Sequence, residues 1–93
     1  MSINIVPKIG DNAIGETLPF EYHGTAYVKR VEGEIEDVKN GLYKIRDYNF
    51  LFPLHRILVF TFGGIPIQNP SYDKALVDEE NRKEIERLNN SNN

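Results

Sequence analysis

KNGLYKIRDYNFLFPLHRILVFTFGGIPI, residues 39–67, carries the clearest structural punctuation of this 93-residue chain. Asn40-Gly41 is the strongest two-residue hairpin signal in it, because both positions tolerate positive φ. Arg46-Asp47-Tyr48-Asn49-Phe50 reads as a second turn, rich in Asp and Asn. It leads into an apolar run that ends ILVFTF, a strand too short to cross a membrane. Gly63-Gly64 then breaks the run, and Pro66, which cannot donate to a ladder, marks the following IPIQNP as an edge strand. Short strands joined by short turns predict a mainly β domain, a small antiparallel meander or SH3-like barrel.

Upstream, residues 27–35 alternate, with Tyr27, Val31 and Ile35 on one face and Arg30, Glu32 and Glu34 on the other; Val28 breaks the polar side. The spacing changes from two to three between Ile35 and Val38, which requires a bulge or a helical turn at Glu36-Asp37. His23-Gly24, between apolar runs, predicts a further hairpin. DNAIGETLP, residues 11–19, reads as turn-rich and irregular. Ile3 and Ile5 alternate before Pro7 and Gly10, as in a short first strand or an arm.

Residues 71–93 change character. SYDKALVDEENRKEIERL favours a C-terminal α-helix through Leu88, with Tyr72, Ala75 and Leu76 on one face, Ile85 and Leu88 together, and Glu79 placed to pair with Lys83. The thin stripe predicts a helix that docks weakly or orders with a partner, followed by a disordered NNSNN end. The organisation expected is therefore a β domain over residues 1–70 and a charged helix and Asn-rich tail over 71–93.

Length limits the chain to one ordinary domain. The absence of cysteine removes disulfides, thiol catalysis and cysteine-bearing zinc sites, and it suits a cytoplasmic protein. The net charge of −3 argues against binding nucleic acid by bulk electrostatics alone. Residues 1–70 hold seven Lys or Arg against eight Asp or Glu, and residues 71–93 four against six, so the acidity gathers in the tail. Residues 43–56, with Lys44, Arg46 and Arg56 against Asp47, are locally basic.

Four groupings have the residue types for chemistry. In strand geometry His55 and Arg56 point to opposite sides, and only a bend or bulge ended by Pro53 lets both meet one ligand. They then form an anion site with Lys44 or Arg46, Arg56 offering its planar fork to phosphate. The structural account of the pair has His55 on a backbone carbonyl and Arg56 snorkelling or paired with a carboxylate such as Glu36. Aromatics interleaved with cations are the second grouping, a pattern that holds single strands by stacking and phosphate contacts. Tyr43 and Tyr48 are its reachable members, whereas Phe60 and Phe62 belong to the core. Glu32, Glu34, Glu36 and Asp37 form the third, and alternation makes them a solvated strand face rather than a metal cluster. The glycine-rich pieces are the fourth, and they lack a nucleotide fingerprint.

The stretch from Val31 to Ile67 also resembles a small, largely archaeal family of uncharacterised domains thought to act in RNA processing or repair. Phe52, Pro53, Leu54, His55 and Arg56 match that family's hydrophobic-Pro-Leu-His-Arg motif. GLYKI looks like its preceding strand and RVEGEIEDV is similar to the segment before that. Residues 1–25 and the acidic tail lie outside the match. The resemblance implies a role in binding or processing RNA and specifies no reaction.

The expectation from sequence is an accessory RNA-binding domain without a catalytic residue, metal or cofactor. Lys44, Arg46, His55, Arg56, Tyr43 and Tyr48 would hold single-stranded or structured RNA. The alternative is a protein-interaction module, a homo-oligomer or a small acidic adaptor or inhibitor of the kind mobile elements and viruses encode, with residues 71–93 reaching a protein partner. A third reading makes His55 a general acid or base. No reading involves a membrane.

Overall fold

Three tight turns set the architecture. His23-Gly24, Asn40-Gly41 and Gly63-Gly64 all hold φ between 52° and 81° at both central positions, the geometry whose twist matches a right-handed hairpin. They join β2 (Phe20–Tyr22) to β3 (Thr25–Tyr27), β4 (Arg30–Lys39) to β5 (Leu42–Ile45), and β7 (Ile57–Phe62) to β8 (Ile65–Gln68). The computed structural model describes residues 5–91. The expected first strand or arm falls partly outside them, and Ile5–Lys8 form no strand.

With β1 (Asn12–Glu16) and β6 (Leu51–Pro53), these strands make a six-stranded antiparallel sheet in the order β6-β5-β4-β1-β7-β8, with the β2–β3 ribbon apart. β4, β5 and β6 run as a meander, and β4 is shared between both halves: Arg30–Glu34 pair with β1, Ile35–Lys39 with β5. The register shifts between Ile35 and Asp37, which is the expected irregularity. This is the mainly antiparallel β architecture with a C-terminal helix expected from sequence, and a 3-10 turn, Leu54–Arg56, precedes β7. β8 lies at the sheet edge, as Pro66 requires.

The reading of residues 11–19 as irregular is corrected by β1, which is central and pairs with β4 on one side and β7 on the other. Its weak propensity hides a packing requirement. The ring of Phe52 lies across Gly15, so close that a Cβ there would stand 2.7 Å from Phe52 Cδ1. Around that contact the core collects Ala13, Val31, Ile35, Tyr43, Ile45, Phe52, Ile57 and Phe60. Tyr27 is not in line with Val31: it belongs to β3 and is exposed, because the chain leaves strand geometry at Val28-Lys29. Phe62, expected in the core, is 49% exposed, since it is the last residue of β7, beside the Gly63-Gly64 turn.

The helix α1 spans Lys74–Ser91, beyond the expected end at Leu88; Asn92 and Asn93 lie outside the described residues. Asp73 caps it, its Oδ1 accepting the Leu76 N–H at 3.0 Å, and the Asp73 N–H donates to the His55 carbonyl at 3.2 Å. Val77 is the helix's one buried apolar residue, with Glu80, Asn81, Glu84 and Leu88 half-buried on the same side. That corrects the expected faces, for Ala75, Leu76 and Ile85 are exposed. Exposed side chains along the helix form Lys74–Asp78, Lys83–Glu79 and Arg82–Glu86 pairs at i,i+4. No helix among the described residues is long and apolar enough to cross a membrane.

Candidate interaction site

Pro53 ends β6 in extended geometry and the next three residues turn as a 3-10 helix, so strict strand alternation stops where the His-Arg pair begins. Both side chains consequently reach one atom. His55 Nε2 stands 2.8 Å and Arg56 Nη1 3.0 Å from Glu80 Oε1, on the helix. Arg56 is 2% exposed. Its Nε donates to the Glu16 carbonyl (3.0 Å), and its Nη2 to the Thr17 carbonyl and Asn81 Oδ1 (both 2.8 Å). The guanidinium fork thus ties the end of β1, the 3-10 turn and α1 into one joint.

Neighbouring polar groups complete the joint. Asn69 is buried and its Nδ2 donates to the carbonyls of Leu54 and Ile57, fixing both ends of the 3-10 turn. The buried Glu16 carboxylate accepts the Tyr72 hydroxyl and pairs with Arg30. Burial first, then the hydrogen bond and negative charge of Glu16, push the Tyr72 hydroxyl up to about 12. Burial works to raise the Glu80 carboxyl, but hydrogen bonds from His55 and Arg56, with their attraction, outweigh it and hold the group below the usual range.

A carboxyl depressed in the folded state stabilises fully above its unfolded value, near 4.5, and that contribution is lost as pH falls through the folded value. The urea midpoint of the wild-type chain is therefore expected to fall more steeply than that of Glu80→Gln as pH drops below about 5. Parallel profiles would remove Glu80 from the joint.

The six residues expected to hold RNA do not form one surface. His55 and Arg56 meet at Glu80, not at Glu36 or an open phosphate site. Lys44 pairs with Glu36 at 2.9 Å, and Arg46 with Glu34 at 2.8 Å, across the outer face of β4 and β5. The carboxylate run is thus a solvated strand face with two of its members paired, and no cluster of three or more His, Asp or Glu that could hold a metal occurs among the described residues. Tyr43 is buried in the core, which corrects its assignment as reachable; it follows from the two-residue spacing to Ile45, also inward. Tyr48 is half-buried, with the Lys29 ammonium 5.8 Å from its ring centre.

What the joint creates instead is a groove of about 610 Å³ between Leu18–Phe20, Phe50–Pro53 and the helix face at Glu80, Lys83, Glu84 and Arg87. Its walls are apolar and open: Leu18 is 47%, Phe20 38%, Phe50 48% and Leu51 56% exposed. Charges on its rim are met within the chain, Glu80 by His55 and Arg56, Glu84 by Arg87, Lys83 by Glu79. Such a site offers apolar contact area and few unsatisfied charges. The sequence carried one sign of it: in Phe50-Leu51-Phe52 three apolar residues follow one another, and a strand with one buried face cannot hide all three.

No family model, no curated protein and no solved structure matches this chain.

Proposed function

We propose that the chain is a protein-interaction module whose groove receives an uncharged apolar segment of a protein partner. The observation that carries this reading is the set of Leu18, Phe20, Phe50 and Leu51, each more than a third exposed along one groove. Isolated apolar residues on a surface need no explanation, whereas a lined and framed set of them marks a contact site. An anionic partner is disfavoured by the internal pairing of the rim.

The test is a titration of the labelled chain with short apolar, acidic and basic peptides and with a single-stranded RNA, followed by NMR shifts. Apolar peptides are expected to move the signals of Leu18, Phe20 and Leu51. Burying one such side chain is worth about 1.5–3 kcal/mol, so Leu18→Asp or Phe50→Asp is expected to weaken binding by roughly tenfold to a hundredfold. Binding confined to charged ligands, or unchanged in both variants, would overturn the reading.

A second reading keeps RNA as the ligand but moves it to the β2–β3 ribbon. Phe20, Tyr22 and Tyr27 are exposed there, and Lys29 and Arg30 follow in sequence, so the segment supplies both the rings and the cations that single-strand binding uses. Steep loss of RNA affinity with salt, and its loss in Tyr22→Ala, would favour it over the groove.

A further inference from the structure

The chain itself carries an apolar projection that fits the chemistry of the groove. At the tip of the β7–β8 hairpin Phe62 is 49% and Ile65 66% exposed, on either side of the Gly63-Gly64 turn. No charged residue occurs between Ile57 and Tyr72. Pro66 removes a donor from β8 just behind the tip, so this element is better made to present side chains than to add a strand.

The tip and the groove lie at opposite ends of β7. β1 and β7 are antiparallel, and at one end the Asn12 N–H donates to Thr61 Oγ1 at 3.0 Å, next to the tip. At the other end Gly15 stands opposite Ile57, next to Glu16 and Arg56, which line the groove.

We propose that a second copy of the chain seats its Phe62–Ile65 tip in the groove, so that copies associate head to tail. This rests on the reading of the groove as a protein-binding site and names its occupant. Charge decides for that occupant: a groove whose rim charges are already met takes an uncharged insert without leaving an ion unpaired. Because each copy has one tip and one groove at opposite ends of β7, the contact is heterologous and passes through larger assemblies unless a ring closes.

The experiment is light scattering and sedimentation velocity on the full chain up to about 1 mM, with a tip variant, Phe62→Asp/Ile65→Asp, and a groove variant, Phe50→Asp. Leu51→Asp is a second groove variant should Phe50→Asp fail to keep the wild-type circular dichroism. Wild-type mass is expected to rise with concentration past the dimer, and each variant to remain monomeric. Mixed in equal amounts, the two variants are expected to form a 1:1 dimer and stop there, since one intact tip and one intact groove remain.

Three results would overturn the proposal: a wild-type chain monomeric throughout, a variant that still assembles, or variants that do not complement. A monomeric wild type that still binds apolar peptides through Leu18 would leave the groove reading standing and remove only the second copy. Failure of both assembly and peptide binding would remove the two together.

Discussion

Arg56→Ala is expected to destabilise the chain by about 3 kcal/mol and to lower Tm by roughly 12–24 °C, measured by urea and thermal unfolding. The magnitude follows from what the substitution leaves behind. Arg56 is almost wholly buried, and its removal strips hydrogen bonds from the Glu16 and Thr17 carbonyls, Glu80 and Asn81. Burial without a partner makes each such group costly, although Glu80, which is partly exposed, regains some water. Arg56→Lys is expected to recover only part of the loss, because an ammonium cannot span four acceptors in the plane of the fork. A variant with wild-type stability would mean that the hydrogen bonds add nothing and would free Arg56 for a ligand role.

Gly15→Ala is expected to cost about 2–3 kcal/mol, an unusual sum for one added methyl group. The new Cβ would stand 2.7 Å from Phe52 Cδ1 and 3.0 Å from Phe52 Cε1, atoms of a rigid ring that is 1% exposed rather than the flexible end of a side chain. Phe52→Leu alone creates a void, but in the Gly15→Ala background it relieves the clash. The two substitutions are therefore expected to be less destabilising together than the sum of their separate effects, by at least about 1 kcal/mol in a double-mutant cycle. Strict additivity would show that ring and glycine are not in the contact described.

These two sites show where sequence reading succeeds and where it stops. The Asn40-Gly41 hairpin, the break at Glu36-Asp37, the edge strand at Pro66 and the Glu79–Lys83 pair all rest on local rules, and local rules were enough. β1 was missed because Ala13 and Gly15 are poor strand formers; Gly15 is small for the sake of Phe52, which is 37 residues away along the chain. The joint was half legible. Pro53 did mark the boundary that brings His55 and Arg56 to one side, but their partner Glu80 sits in a helix whose periodicity favours other faces.

The candidate site was less legible still. Lys44 and Arg46 read as free cations because cross-strand pairing to Glu36 and Glu34 appears only once the register is known. Tyr43 is the instructive error: its two-residue spacing from Ile45 already placed it on the inward face. The groove walls come from Leu18 and Phe20 on one side and Phe50 and Leu51 on the other, residues about 30 positions apart that no motif links.

Whether Arg56 belongs to the fold or to a ligand is decided most directly by a double-mutant cycle of Arg56→Ala and Glu80→Ala, read by urea unfolding. Contact through a part-buried charge-assisted hydrogen bond makes the expected coupling at least about 1.5 kcal/mol, with both single variants less stable than the wild type. A coupling near zero in variants that keep the wild-type fold would contradict the joint, and with it the framing of the groove by the helix.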